Sequence, residues 1–93
     1  MFVIAVYDIS TVELEGQKRL SKMMKLLRQY LHHTQKSVFE GEISESKLFE
    51  LQKKSQNIIN EDQDYIVFYK IDNKNNVKRM MYGIGSDPNE TII

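Results

Sequence analysis

Two short runs of apolar residues lie near opposite ends of this 93-residue chain and limit the folds open to it. The runs Phe2 to Tyr7 and Tyr65 to Ile71 are rich in β-branched and aromatic side chains, which is typical of strands covered on both faces. A chain of this length predicts one domain, and a small domain buries a limited share of its surface. Because shared burial would stabilise such a chain, we expect a homodimer in which a second subunit covers one face of the sheet.

Between these runs the spacing of apolar residues changes to that of helices. The first predicted helix extends from Gln17 to about His32, and the second follows Ser44, a favourable N-cap, and ends near Asn60. Their apolar stripes are formed by Leu20, Met23, Met24, Leu27 and Leu31, and by Leu48, Leu51, Ile58 and Ile59. Each helix therefore has one face suited to packing against a sheet.

Two further segments have strand character. Residues 34–43 contain Gly41, which indicates either one strand with a bend or bulge, or a very tight hairpin. Residues 77–84 follow a polar turn and are predicted to return along the second apolar run as an antiparallel hairpin. The element order predicts an α+β fold, a ferredoxin-like βαββαβ sandwich with an antiparallel sheet and two helices on one face.

The end of the chain is predicted to stand apart from this domain. We assign residues 1–84 to the ferredoxin-like domain and residues 85–93 to a C-terminal tail or edge strand, because glycines and Pro88 interrupt regular structure there. The apolar segment Thr91 to Ile93 is suited to pairing with the edge of a sheet.

The composition excludes several classes of site. The chain has no cysteine, so disulfides, zinc–thiolate sites and cysteine nucleophiles are ruled out. Its longest apolar run is far too short to cross a bilayer, and no basic segment precedes that run as in a signal peptide. We therefore expect a cytoplasmic protein with no membrane partner.

Charge is balanced overall, with 13 basic and 13 acidic residues, but its distribution is uneven. No acidic residue occurs between Gln17 and Phe39. This interval carries Lys18, Arg19, Lys22, Lys25, Arg28 and Lys36, together with His32 and His33. The cluster indicates either a surface for an anionic partner or an ordinary solvated helix face. The two histidines are predicted to interact with the end of the first helix, an interpretation we prefer to acid–base catalysis.

Asp8 follows the first apolar run directly and is the candidate for catalysis. Strand ends often present functional groups, although an aspartate there also suits a turn or a cap. Magnesium often takes only one or two carboxylates, with water and phosphate oxygens completing its shell. In a two-fold dimer, two copies of Asp8 near the axis could share one such ion. The ion would polarise a phosphodiester and lower the pKa of a bound water.

Three segments together resemble the CRISPR-associated protein two family. The segment Val3 to Ser10 is similar to the first-strand signature of the family, and Lys18-Arg19 matches its early basic position. The segment Gln35 to Ile43 is similar to its second motif. Order, spacing and total length also agree, so the resemblance covers almost the whole chain. One departure is His33-Thr34, since many members carry a basic residue just before this motif.

The resemblance implies a ferredoxin-like homodimer whose last strand packs on the sheet of the partner. It also implies a place in CRISPR adaptation, in which the dimer binds the duplex DNA of a new spacer. There it bridges two dimers of the CRISPR integrase, CRISPR-associated protein one. Some members are described as metal-dependent nucleases on single-stranded RNA or double-stranded DNA. By this resemblance Asp8 is the magnesium ligand, with Ser10, Arg19 and Phe39 around the same cleft.

Three functions therefore remain open. The first is binding and scaffolding, in which Lys and Arg of the first helix contact DNA phosphates without regard to sequence. The second is a nuclease with Mg²⁺ held by paired Asp8, although no clear general base accompanies it. The third is a metal-dependent ribonuclease of the toxin-like, virulence-associated type, which shares the fold but has no integrase partner.

Overall fold

The computed structural model describes residues 1–83 as a sheet with helices packed on one side. In chain order the elements are β1 (Phe2–Asp8), α1 (Leu14–Arg28), β2 (His32–Gln35), β3 (Val38–Glu42), α2 (Glu45–Gln56) and β4 (Tyr65–Ile71), followed by a 3₁₀ turn at Lys74–Asn76. Ser44 is the N-cap of α2, as predicted, and its side chain accepts a hydrogen bond from the Lys47 amide. The order βαββαβ confirms the predicted α+β, ferredoxin-like class.

β1 lies in the interior of the antiparallel sheet, whose strand order is β2-β3-β1-β4. Ala5 of β1 pairs with Phe39 of β3 on one side and with Phe68 of β4 on the other. Because β1 has hydrogen-bonded neighbours along both edges, its backbone N–H and C=O groups pair within the sheet. Its nearly uninterrupted apolar sequence fits this interior position.

The alternation of side chains along β1 separates two faces of the sheet. Val3, Ala5 and Tyr7 point toward the helices and are at most 2% exposed. The helices complete this core with Met23, Leu26 and Leu27 of α1 and with Leu48 and Leu51 of α2. Burial of this apolar surface, worth about 25 cal/mol per Å², holds the helices against the sheet.

The opposite side of the sheet, which we call the open face, carries no helix among residues 1–83. Its register places Ile4, Val6 and Asp8 of β1 beside Tyr69, Val67 and Tyr65 of β4, respectively. The three β4 side chains are 55%, 38% and 52% exposed, in the same order. A row of exposed aromatic and aliphatic side chains on a sheet is typical of a surface that packs against a partner.

α1 ends earlier than its apolar stripe predicts, and this changes the position of the two histidines. The helix ends at Arg28, and His32 and His33 lie in β2. The prediction that they interact with the helix end is therefore wrong. Leu31 continues the helical spacing in the sequence, yet it is buried because the chain turns there into the sheet.

Residues 34–43 belong to a tight hairpin, one of the two alternatives left open by the sequence. β2 and β3 are antiparallel and are joined by a turn at Lys36 and Ser37. Gly41 lies within β3 and pairs with Val3, so the strand continues through this glycine.

The hairpin predicted for residues 77–84 is not formed over its described part. The chain instead makes a 3₁₀ turn after β4, in which the Asn75 amide donates to the side-chain oxygen of Asn73 at 2.9 Å. Arg79 then forms an ion pair with Glu40 of β3, a residue only 4% exposed. These contacts direct the chain away from pairing with β4.

Two further predictions concern the end of the chain and membranes. The domain boundary after residue 84 and the pairing of Thr91 to Ile93 lie outside the described residues. Neither helix in residues 1–83 is both long and apolar enough to cross a membrane.

Candidate functional site

Asp8 is the last residue of β1 and lies at the end of the open face. It is exposed, and its pairing partner on β4 is Tyr65. The next residue, Ile9, is only 6% exposed, because its side chain belongs to the core beneath the sheet. The buried Ile9 thus fixes where the strand stops, and it leaves the Asp8 carboxylate accessible at the edge of the sheet.

Ser10 is held from two directions. Its backbone amide donates a 3.0 Å hydrogen bond to Asp64 Oδ1. Its carbonyl oxygen lies against the backbone of Gly16 in α1, where an added Cβ would be 1.8 Å from that oxygen. Gly16 is therefore the residue that allows the loop after β1 to contact the first turn of the helix.

Arg19, on the second turn of α1, points away from solvent toward the loop before β4. Its Nε lies 2.7 Å from Asp64 Oδ2, and its Nη2 donates to Asp64 Oδ1 at 3.3 Å and to Gln63 Oε1 at 3.1 Å. Only 17% of the side chain is exposed. The hydrogen bond to Asp64 raises the pKa of Arg19, so this guanidinium is charged and already paired.

Asp64 belongs to this region but was not predicted from the sequence, in which it stands at the end of the acidic segment 61–64. Its side chain is fully buried and accepts hydrogen bonds from the backbone amides of Ser10 and Asn60 as well as from Arg19. Burial favours the neutral acid, but the bonds from Arg19 and the two amides outweigh it and lower the pKa of Asp64. The signal in the sequence that points to Asp64 is the position of Arg19. Arg19 lies on the flank of α1, from which its guanidinium reaches the edge of the sheet.

Phe39 lies in the core and not beside Asp8. Its side chain is 0% exposed on the helix side of the sheet, whereas Asp8 is on the open face. The ring packs between His33 and Tyr7, with ring centroids 4.4 Å and 6.1 Å away. The structure therefore brings Ser10 and Arg19 together through Asp64 and leaves Phe39 apart from them.

Tyr7 connects the end of β1 to the β2–β3 turn. Its hydroxyl donates to the carbonyl oxygen of Lys36 at 3.1 Å, and its amide donates to that of Ser37 at the same distance. Burial raises the pKa of Tyr7, and the charge of Arg28 partly opposes this. Tyr7 consequently fixes the position of Lys36, one of the predicted nucleic-acid-binding residues.

The predicted basic surface is present on α1. Within residues 1–83, the members that are exposed and form no ion pair are Lys18, Lys22, Lys25, Arg28 and Lys36. Lys18, Lys22 and Lys25 are spaced four and three residues apart, so they share one side of the helix. Arg19 belongs to the predicted basic cluster but not to this exposed surface, because it is paired with Asp64.

Among residues 1–83, no group of three or more His, Cys, Asp or Glu side chains could hold an ion. Within residues 1–83, Asp8 is the exposed carboxylate at the end of β1. This fits magnesium, which needs few protein ligands, if a second copy brings its own carboxylate to the same point.

Comparison with known proteins agrees with this architecture. Residues 1–79 match the family model described as CRISPR associated protein Cas2. The CRISPR-associated endoribonuclease Cas2 2 of Moorella thermoacetica is 36% identical over 91 residues, which is 98% of this chain and 100% of that protein. The CRISPR-associated endoribonuclease Cas2 of Dictyoglomus turgidum is 37% identical over the full length of both chains.

Solved structures show the same fold. A crystal structure of Cas2 matches 100% of this chain and 98% of its own, with a TM-score of 0.81 and 38% identity. The crystal structure of Streptococcus pyogenes Cas2 at pH 6.5 has a TM-score of 0.73 and 30% identity. That match covers 87% of this chain and 100% of the other.

Proposed function

The chain belongs to the CRISPR-associated Cas2 family, and on this basis we propose that it is a homodimeric nucleic-acid-binding protein of CRISPR adaptation that also carries a magnesium-dependent nuclease site at Asp8. The observation that carries the proposal is the open face. Asp8 lies on the same face as the exposed row of Tyr65, Val67 and Tyr69. Packing of this row against a second copy would bring two Asp8 carboxylates toward one axis.

In the proposed nuclease the carboxylate oxygens of paired Asp8 hold the magnesium ion. When bound, the ion supplies charge stabilisation for a phosphodiester and a water of lowered pKa. Ile9 and Asp64 hold the chain just beyond the strand end, Ile9 directly and Asp64 through the Ser10 amide, so the carboxylate needs little rearrangement. The relatives named above are endoribonucleases, which supports single-stranded RNA as the first substrate to test, with double-stranded DNA beside it.

Binding of duplex DNA is assigned to α1. Lys18, Lys22 and Lys25 form an exposed row without acidic neighbours in the same stretch of sequence. Contacts from such a row to phosphates are independent of sequence and weaken with salt. In a dimer two copies of this row are present, which suits a scaffold that bridges two dimers of the integrase, CRISPR-associated protein one, on the DNA of a new spacer.

The test compares wild type with Asp8→Asn and with Asp72→Asn as a matched control. Asp72 is also exposed, but it follows the opposite end of β4. Each protein is incubated with labelled single-stranded RNA and duplex DNA with and without Mg²⁺, and its mass in solution is measured. We expect a dimer in all three, and magnesium-dependent cleavage in wild type and Asp72→Asn only.

Three results would contradict the proposal in whole or in part. A monomeric wild type at micromolar concentration would remove the paired site. Cleavage retained in Asp8→Asn would place the chemistry elsewhere. Absence of cleavage in wild type, with duplex binding intact, would reject the nuclease and leave the scaffold.

A further inference from the structure

Asp64 is the most connected polar side chain near the candidate site. Its two carboxylate oxygens receive four hydrogen bonds from three separate places: the loop after β1, α1 and the segment before β4. The side chain is fully buried, and the proposed catalytic role in this region belongs to Asp8 and not to Asp64. Burying a charged carboxylate costs free energy, and only complete hydrogen bonding of its oxygens offsets this cost.

The contacts act on the backbone and not only on another side chain. Asp64 Oδ1 accepts from the Ser10 amide at 3.0 Å, and Asp64 Oδ2 accepts from the Asn60 amide at 2.9 Å. Ser10 is two residues beyond Asp8, and between them Ile9 is buried in the core. Whatever holds Ser10 in place therefore limits how far the end of β1 can move.

A second observation supports the same restriction. On the side of α1, the carbonyl of Ser10 contacts the backbone of Gly16 so closely that a Cβ has no room. Ser10 is thus held by Asp64 through its amide and by Gly16 through its carbonyl. The loop has little freedom in either direction, as a site that must present a carboxylate accurately requires.

In this arrangement the Arg19 guanidinium is already paired with groups of the protein and is not directed toward a phosphate. Its Nε and Nη2 are directed at Asp64 and Gln63, and acidic side chains of Glu13 and Glu15 also act on it. Asp64 neutralises the guanidinium at 2.7 Å. A phosphate approaching Arg19 would have to compete with this buried carboxylate.

We propose that Asp64 is the positioning residue of the candidate site, holding the Ser10 backbone and thereby Asp8, and that Arg19 acts through Asp64 and does not contact nucleic acid. The proposal rests on the proposed function for what Asp8 does. It differs from two expectations drawn from the sequence. The resemblance places Arg19 around the cleft of Asp8, and the charge distribution places it in the basic surface for an anionic partner.

The test uses the full-length protein and the variants Asp64→Asn and Arg19→Gln. Asp62→Asn is the control, since it removes one carboxylate from an exposed position in the same loop. The first measurement is amide hydrogen exchange at Ser10, with the Ala5 amide in the core as an internal reference for global opening. We expect exchange at Ser10 to become about tenfold faster in Asp64→Asn, as loss of a charged hydrogen-bond acceptor implies. Asp62→Asn should leave it unchanged.

The second measurement separates positioning from general stabilisation. In folded Asp64→Asn we expect the ¹³C carboxyl signal of Asp8 to shift, and its response to added Mg²⁺ to weaken severalfold. Neither change is expected in Asp62→Asn. If Asp64→Asn does not fold, Arg19→Gln serves instead, because it removes the charged partner and keeps the Asp64 carboxylate and its two backbone bonds. Ser10 exchange faster than in wild type and in Asp62→Asn is then the expected result.

The third measurement addresses Arg19 directly through the salt dependence of duplex DNA binding. We expect the plot of log affinity against log salt concentration to keep its slope in Arg19→Gln. In Lys22→Gln the slope should become shallower by about one, which corresponds to the loss of one phosphate contact. A slope made equally shallow in both variants would overturn the assignment of Arg19.

Unaltered Ser10 exchange and an unaltered Asp8 signal in Asp64→Asn would overturn the assignment of Asp64. If wild type neither cleaves nor binds Mg²⁺, the nuclease is rejected, but Ser10 exchange and the Asp8 signal still decide whether Asp64 positions the loop.

Discussion

The imidazole ring of His33 lies face to face with the phenyl ring of Phe39, with 4.4 Å between ring centroids and 8° between ring planes. His33 is exposed in β2, whereas Phe39 is completely buried in β3. The pair therefore covers the edge of the core with a ring that is accessible on one side only. This geometry predicts very different consequences for substitutions of the two residues.

We expect Phe39→Ala to lower the free energy of unfolding by about 3–5 kcal/mol, the usual range for a buried phenylalanine. His33→Ala should cost much less, since its ring is exposed and offers stacking alone. Urea denaturation followed by circular dichroism measures both. Equal, small effects would mean that the Phe39 ring is not in the core and is free to serve in a cleft.

The close contact of Gly16 with Ser10 predicts that Gly16→Ala changes stability in the direction opposite to that expected from helix propensity. Gly16→Ala should destabilise the protein by about 1–3 kcal/mol, as overpacking does, although alanine favours a helix over glycine by about 1 kcal/mol. Gly41→Ala is the matched control, because its nearest neighbour there, Leu31 Cδ2, is 3.5 Å away. A Gly16→Ala protein as stable as wild type would show that the loop yields easily.

The lowered pKa of Asp64 predicts a pH dependence of stability. A carboxylate whose pKa falls on folding stabilises the native state above its unfolded pKa, about 3.9, and this contribution is lost as pH falls through the folded value. The difference in stability between wild type and Asp64→Asn should therefore be constant from about pH 5 to 7 and shrink toward about pH 3. Arg19 stays charged throughout, and Glu13 and Glu15, whose charges act on Arg19, are present in both proteins.

Urea midpoints at several pH values, with Asp62→Asn alongside, measure this effect. Asp62→Asn should show the acid sensitivity of wild type. A wild-type advantage over Asp64→Asn that persists unchanged at pH 3 would contradict the assigned role of the carboxylate.

The exposed row on α1 predicts weaker duplex binding after charge reversal. Lys22→Glu with Lys25→Glu should reduce affinity at low salt by at least about tenfold and flatten its salt dependence, since each removed phosphate contact lowers the slope by about one. Fluorescence anisotropy with a labelled duplex measures both. The control is Lys53→Glu with Lys74→Glu, which makes the same charge change at exposed positions outside α1. Equal losses in the two pairs would indicate a general effect of net charge and not a surface on α1.

The elements that could be predicted from the sequence are those with a local apolar pattern, either a continuous apolar run or a stripe at helical spacing. β1, β4 and the stripes of both helices belong to this class. The end of α1 does not, because Leu31 keeps the helical spacing while packing into the same core from the next segment. Nor does the path after β4, which depends on the distant ion pair between Arg79 and Glu40.

The residues of the candidate site also differ in how far they could be predicted from the sequence. Asp8 could be identified because it follows a buried strand directly, and its position is local to that strand. Asp64 could not, because its role depends on partners 54 and 45 residues away in the chain, at Ser10 and Arg19. A buried carboxylate in an acidic loop has no distinguishing pattern until its partners in the fold are known.

β1 is the first strand made during synthesis, yet it lies between β3 and β4, and the loop beyond it is bonded to a residue that immediately precedes β4. A ribosome releases Asp8 long before it releases Asp64, so the nascent chain carries the carboxylate without the contacts that position it. The contacts that hold the loop after β1 therefore form only once translation has passed residue 64, and any product truncated before that residue would lack them.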